Sequence, residues 1–539
     1  MKLAKKYYFF AAGLIFLSAL LAFGNTAQPL IVEQFINHLN VSQEMVIYWL
    51  VMYFVTIVMV LLIELCRKLL EAGYSASLKD WLRRRVSEGV LGLDAGTFTE
   101  QTPQEYISVM NNDIPVVAED YYLKITNIVF QVLSILFSCT VLTRIYFPLA
   151  VVSAVTSILI AVIPFLFKTQ LQTQREQSLN SIGIYNIKFS DLVFGHSEIR
   201  IHQMQKAIRR IVSLASEESA KKEFQYERAQ SYSEIAIGCV SFLGTFLIIA
   251  LGGIQVYLGK LDVGSLFAAY QLSDQLVGPV LGIAVSLNAV VASSKIKKKL
   301  AGYVATEEPQ QKENLFSEQF TVHGTELETI EISNLTLKRG ERYLFRNFSC
   351  EFRKNRKYLV VGQNGSGKST LMHLIAGDFN GKNAELSGMI RVNGVDRKLV
   401  PDEFFFKEVT ILSQVPYLFY GTVEENLTLF GTIDKEGLKT ISVLSDDTFR
   451  KLLEENREIS NESNEISNGE REKMALLRAL LKHSRWLLLD EATAALDTKS
   501  KEKFEAYLLS RQDLTVIHIS HTCKDEDLNR YDEILKIGE

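Results

Sequence analysis

The chain has 539 residues, 47% of them hydrophobic and 22% charged, with a formal net charge of -4. This length exceeds one ordinary domain, and so small a net charge argues against a nucleic-acid partner. The five cysteines (Cys66, Cys139, Cys239, Cys350 and Cys523) have neither metal-ligand nor disulfide-like spacing and read as reduced thiols.

The composition is asymmetric. Residues 1–295 carry long apolar runs, 296–327 form a charged and polar linker, and 328–539 read as an α/β domain. Roughly 20 apolar residues cross a bilayer as a helix. Such stretches fall at residues 7–23, 45–66, 123–142, 147–167, 235–258 and 265–291. The first follows Lys2, Lys5 and Lys6 like a signal peptide, but no small-residue cleavage site follows, so it reads as a retained span. Residues 24–44 lack Lys and Arg and are expected outside. Lys2, Lys5, Lys6, Arg67, Lys68, Lys79, Arg83, Arg84 and Arg85 are expected inside, which puts both termini in the cytoplasm. The long polar links between spans two and three, and between four and five, read as helices extended into the cytoplasm.

Polar groups inside a span are costly and often functional. Gln271, Gln275 and Gly278 share one face of the last span, with Asp274 beside it. This stripe reads either as the lining of a translocation cavity, with Asp274 attracting cations, or as helix–helix hydrogen bonding. Asn127 and Gln131, one turn apart, form a weaker pair of the same kind.

In the second half, Tyr358-Leu359-Val360-Val361 reads as a buried strand. Gly362-Gln363-Asn364-Gly365-Ser366-Gly367-Lys368-Ser369-Thr370 follows, and then an apolar helix start. Strand, glycine loop and helix are the context of a phosphate-binding loop. Backbone N–H groups and the helix N-terminus would wrap phosphates, Lys368 would reach the β- and γ-phosphates, and Ser369 would hold Mg²⁺. Three further strands are expected to end in polar residues: Gln414, the pair Asp490-Glu491, and His521. Asp490 suits Mg²⁺, Glu491 an attacking water and His521 a γ-phosphate. Gln414 suits the metal and the water together. Phosphoryl transfer needs such positioning and charge stabilisation.

In this order the motifs resemble the ATP-binding cassette (ABC) family: Walker A at 362–370, the Q-loop at Gln414, Walker B at 487–491, the D-loop Ala495-Leu496-Asp497 and the switch histidine His521. The membrane half is similar to an exporter. The resemblance implies an all-α polytopic membrane domain of about six transmembrane helices, fused to an α/β P-loop domain, in a half-transporter that hydrolyses ATP. It implies nucleotide contacts from Gly362, Asn364, Gly365, Gly367, Lys368, Ser369, Thr370 and Asp497. It also implies Mg²⁺ contacts from Ser369, Gln414 and Asp490, catalysis by Glu491, Gln414 and His521, and a substrate cavity at Gln271, Asp274 and Gln275. Residues 108–115 and 194–199 are candidate coupling helices by the same analogy.

Family members close two cassettes head to tail, with a Leu-Ser-Gly-Gly-Gln signature facing the partner's nucleotide. Here the segment is Ile466-Ser467-Asn468-Gly469-Glu470. Ser467 and Gly469 match, and Asn468 and Glu470 depart, with Glu470 bringing negative charge toward the nucleotide. A homodimer is favoured and a heterodimer is the alternative. Arg339 falls where the family places an adenine-stacking aromatic, with Tyr343 as the other candidate. No peptidase domain is expected ahead of the spans and no domain after the cassette. The expectation is an exporter in the cytoplasmic membrane. Its cargo is a peptide, with a lipophilic drug or lipid as the alternative. The rival from another class is an ATP-gated channel or membrane regulator.

Overall fold

The computed structural model describes residues 5–39, 42–93, 95–98, 101–304, 326–363, 365–377, 384–413, 416–437, 447–461, 466–520 and 529–537. It divides into two compact units, one of residues 1–88 and 106–304, the other of residues 89–105 and 305–539.

The first unit is helical. Its elements are α1 (Lys5–Asn37), α2 (Gln43–Leu91), α6 (Lys124–Ile145), α7 (Phe147–Phe194), α9 (Gln205–Tyr257) and α10 (Val263–Tyr303), with the short α8 (His196–Ile201) between α7 and α9. Between α2 and α6 in the chain come the short helices α3 (Ala95–Phe98), α4 (Pro103–Ser108) and α5 (Ile114–Val116), of which α3 belongs to the second unit. Among the described residues, 6 helices are long and apolar enough to cross a membrane. Several run well beyond the roughly 30 Å of hydrocarbon: at 1.5 Å per residue, the 53 residues of α9 reach about 80 Å.

Two sequence expectations shift in detail. The helix of the first span runs on past the apolar stretch that ends near Phe23, because α1 continues to Asn37. The polar run after Gly24 is absorbed locally: Thr26 Oγ1 donates to the carbonyls of Ala22 and Phe23 at 3.1 and 2.9 Å. The end of α1 is then tied to the start of α10, where Glu33 Oε1 accepts from Ser265 Oγ at 2.6 Å and Asn37 Oδ1 from the Gly264 N–H at 3.0 Å. The second shift concerns residues 108–115, which form no separate coupling helix. The chain there runs helically through π-helical Val109–Asp113 and Val117–Leu123, and the short helix α3 comes earlier. The other candidate, residues 194–199, overlaps α8 at residues 196–199.

In α10, Ala269, Leu272 and Leu276 are buried against Leu142, Leu149 and Ile248. Ser273 Oγ meets Ser153 Oγ at 2.5 Å. Asp274 and Gln275 are exposed, and Gln271 is half-buried. Gln131 packs onto the bare backbone of Gly282, where a Cβ would stand 2.3 Å from its Nε2.

The second unit holds two main sheets. β1 (Thr329–Arg339), β2 (Arg342–Arg353), β4 (Ala384–Val392) and β5 (Val395–Asp396) form an antiparallel sheet in the order β2-β1-β4-β5. β3 (Lys357–Gly362), β6 (Val409–Leu412), β9 (Trp486–Asp490), β10 (Thr515–Ser520) and β11 (Glu533–Ile537) form a parallel sheet in the order β11-β3-β10-β9-β6. Every residue of β9 is buried, as expected of a parallel strand covered on both faces. A two-stranded ribbon pairs β7 (Gly421–Thr422) with β8 (Glu458–Ile459).

Candidate functional site

Ligands of open parallel sheets lie beyond the carboxyl ends of the strands. Here β3 ends at Gly362 and β9 at Asp490, with β10 between them, about 10 Å apart at ordinary strand spacing. The loop leaving β3 enters α11 (Lys368–Ala376). Gly365 and Gly367 have φ of +77° and +100°, a region that residues with a Cβ adopt at a cost. A Cβ on Gly367 would also stand 3.0 Å from the Phe345 ring.

Lys368 is 4% exposed. Its Nζ donates to the carbonyls of Gly362 at 2.8 Å and Gln363 at 3.0 Å, bracing the loop from inside. Burial pushes its pKa below the ordinary lysine value, and the nearby Glu491 and Asp490 carboxylates push it back up. Ser366 Oγ is buried with no hydrogen-bond partner among the described residues, a donor position that a phosphate oxygen would satisfy. Ser369 is exposed on the first turn of α11 and Thr370 half-buried. The loop therefore fits a polyphosphate on three counts: bare backbone, an orphaned hydroxyl and a braced ammonium. Among the described residues no three His, Cys, Asp or Glu side chains gather as a metal cage. Mg²⁺ keeps waters and phosphate oxygens and takes only one or two protein ligands, for which the oxygens of Ser369 and Asp490 are of the right kind.

Asp490 is 9% exposed at the end of β9. Glu491 follows with φ of +53°, and its N–H points to Ile519 O at 3.4 Å. A glutamate in the left-handed region is uncommon and strained, and such residues cluster at functional sites. The structure thus brings Lys368, Asp490 and Glu491 to one end of the sheet. Asn364, Gln414 and His521 lie outside the described residues.

The segment from Ser467 opens α15 (Asn468–Leu481), two helices of this unit, α12 (Asp402–Glu408) and α13 (Val423–Thr428), preceding α14 (Asp447–Glu455) and α15 in the chain. Ser467 is its N-cap and Glu470 its N3 residue, and together they make a complete capping box. Ser467 Oγ accepts the Glu470 N–H at 3.3 Å, while Glu470 Oε2 accepts the Ser467 N–H and hydroxyl, both at 2.8 Å. The Ser-x-x-Glu spacing is a helix-start device; the carboxylate that departs from the family pattern is engaged by the cap. Asp497 N-caps the next helix, α16 (Thr498–Ser510). Hydrogen bonding to Ser500, helped by Lys473, lowers its pKa to about 2.

Sequence reading missed Arg342. The β1–β2 hairpin pairs Arg339 with Arg342, and Arg342 Nη2 donates to Gly365 O at 3.0 Å. Only the fold reveals this, because the hairpin and the loop are separated in sequence. Tyr343 is 43% exposed, with the Arg346 guanidinium 4.4 Å and the Lys338 ammonium 5.7 Å from its ring centre. The helical unit holds a cavity of about 900 Å³ lined by Tyr185, His196, Arg200 and Arg209 among others.

Comparison with known families completes the picture. Residues 11–280 match the ABC transporter transmembrane region and residues 345–494 match the ABC transporter domain. The chain belongs to the ABC transporters. With its 6 candidate spans it is a multi-pass membrane protein. This transporter is 28% identical over 319 residues to the transport/processing ATP-binding protein ComA of Streptococcus pneumoniae, covering 56% of this chain and 42% of that one. It is 23% identical over 366 residues to the lactococcin-A transport/processing ATP-binding protein LcnC of Lactococcus lactis, covering 67% and 50%. The chain thus spans about half the length of these curated relatives. A solved bacterial Atm1-family ABC exporter with ATP bound superposes with a TM-score of 0.79, at 17% identity, over 98% of this chain and 93% of that one. The fold is therefore that of an ABC exporter.

Proposed function

We propose that this chain is one half of an ATP-driven exporter, working as a homodimer in the cytoplasmic membrane with both termini in the cytoplasm, and that its cargo is a peptide. The observation that supports ATP-driven work most strongly is the convergence of Lys368, Asp490 and the strained Glu491 at one end of the parallel sheet. ComA and LcnC, named for transport and processing, support the peptide cargo. The exposed Asp274 and Gln275 on α10 supply polar groups for it.

In this reading the N–H groups of Gly365 and Gly367 and the N-terminus of α11 receive the phosphates. Lys368 turns from its loop carbonyls to the β- and γ-phosphate oxygens. Ser369, Asp490 and Gln414 would hold Mg²⁺, which would neutralise phosphate charge. Glu491 orients the attacking water and accepts its proton, with His521 on the γ-phosphate side. Ser467 and Gly469 face the nucleotide of the partner half, and Asp497 approaches the same interface. Cassette closure then opens the cavity outward, and hydrolysis resets it.

The deciding experiment measures ATP turnover by the chain alone in lipid nanodiscs, then repeats it with added cationic peptides. Turnover that peptides stimulate, and that Asp274→Asn makes severalfold less sensitive to them, is the expected result. A folded, ATP-binding sample with no turnover would sink the homodimer and direct attention to a second half-transporter. Turnover indifferent to peptides but stimulated by lipophilic compounds would overturn the cargo.

The capping box makes a separate prediction. Glu470→Gln keeps an acceptor for the Ser467 N–H and removes the charge. The thermal midpoint should stay within a few degrees, while the KM for MgATP falls severalfold. Glu470→Ala breaks the box and should cost about 1 kcal/mol of stability. A KM unchanged in Glu470→Gln would show that this carboxylate does not face the nucleotide.

A further inference from the structure

A buried polar junction joins α15 to the loop after β9. Glu472 is 4% exposed. Its carboxylate oxygens accept the Ala495 N–H at 2.9 and 3.1 Å, and it also accepts the Leu496 N–H. Lys473, the next residue on α15, reaches Asp497 Oδ2 at 3.5 Å, and Asp497 Oδ1 accepts the Ser500 N–H at 2.9 Å. Gly469 lies so close to the same loop that a Cβ there would stand 2.9 Å from Ala495 O. Positions 469, 472 and 473 are spaced i, i+3, i+4 and so share one helix face. That face holds three consecutive residues, 495–497.

Both ends of this junction touch the proposed site. Ser467 begins α15. On the other side, the Ala494 N–H donates to Glu491 O at 3.0 Å, so the held loop is also tied to Glu491. A buried carboxylate is expensive. Burial pushes the Glu472 pKa up, and the loop N–H groups and Lys501 pull it back. An alanine would favour the helix as well and avoid that desolvation. What the carboxylate adds is a fixed position for two backbone N–H groups.

We propose that Glu472 is a positioning residue that locks the signature end of α15 to the loop after β9, so that a displacement of Ser467 moves Glu491. This rests on the reading that Ser467 engages the partner's nucleotide and that Glu491 serves hydrolysis. Engagement of Ser467 would then be felt in the chain's own hydrolytic site through one side chain.

The test compares the full chain in lipid nanodiscs with Glu472→Ala, Glu472→Asp and Glu472→Gln. Asp keeps the charge but falls short by one carbon–carbon bond, ~1.5 Å. Gln keeps the reach and one acceptor oxygen. At saturating MgATP, Ala and Asp should turn over roughly tenfold to a hundredfold more slowly, with KM within about twofold. Gln should recover most of the rate. Amide exchange across residues 492–497 should speed up in Ala and Asp by about tenfold, with residues 362–370 unchanged. An Asp variant equal to wild type, or unchanged exchange across 492–497 in the Ala variant, overturns the proposal. So does faster exchange across 362–370 as well, which would make Glu472 a residue of general stability. If the wild-type chain alone shows no turnover, the homodimer reading has failed. The exchange comparison, which needs no turnover, then decides the junction by itself.

Discussion

Replacing Glu491 by Gln is expected to lower ATP turnover by about 10²- to 10⁴-fold while leaving nucleotide affinity within a fewfold of wild type. The substitution keeps size, shape and hydrogen-bonding reach and removes the basic carboxylate. It also keeps the backbone problem. Glu491 occupies φ of +53°, a conformation that costs of order 1–3 kcal/mol for a side-chain-bearing residue. Glutamine is no better suited to it, so folding strain should not confound the comparison. Lys368 and Asp490 remain in place, and the phosphate-binding loop should fill as before. ATP should then persist unhydrolysed, and two chains should accumulate as an ATP-dependent dimer of their cassettes. Turnover and equilibrium binding of a fluorescent ATP analogue are the paired measurements. Turnover within tenfold of wild type would show that another group prepares the water. Sustained cargo flux in the ATP-bound variant would favour a gated channel over a pump.

The strand, glycine loop and helix around residues 357–376 were legible because their requirements are local. Nine consecutive residues, 362–370, carry the glycines, the lysine and the hydroxyls, and the flanking strand and helix announce themselves by apolar patterning. The same holds for Asp490 at the end of β9, a strand whose apolar run reflects burial on both faces. What was hidden depends on pairings distant in sequence. The apolar run ends near Phe23, whereas α1 continues through the polar Gly24, Asn25 and Thr26 to Asn37. In the fold, Gly24 lets α2 come close, since a Cβ there would stand 2.7 Å from Val60 Cγ2, and Thr26 turns its hydroxyl back onto its own helix. Arg342 on Gly365, and Glu472 on Ala495, carry no motif at all. Glu470 shows the opposite case. The Ser-x-x-Glu spacing was present in the sequence, but it was weighed against a family signature rather than read as the capping box it forms.

Lys368→Met is the substitution that should most weaken nucleotide capture. Its ammonium donates to two loop carbonyls, of Gly362 and Gln363, so the charge is held beside the phosphate path before nucleotide arrives. A charge-assisted hydrogen bond contributes about 1.5–3 kcal/mol, which corresponds to roughly 10- to 150-fold in affinity. Turnover should fall further, because in the proposed mechanism Lys368 also meets the charge that develops on the γ-phosphate during transfer. Stability should change little. Methionine loses the two carbonyl contacts but also removes a buried charge, and these terms oppose each other. Lys368→Arg should not rescue, since a planar guanidinium cannot occupy the space of a compact ammonium at a site only 4% exposed. The pH dependence follows from the same burial. The pKa of Lys368 lies below the ordinary lysine value, and it is the protonated form that binds phosphate. MgATP affinity should therefore begin to fall at a lower pH than an ordinary lysine would dictate, and this alkaline limb should vanish in Lys368→Met. Calorimetric titration of both proteins with MgATP across alkaline pH gives the answer. Equal affinities would mean that the backbone N–H groups of the loop and the N-terminus of α11 hold the phosphates without the lysine.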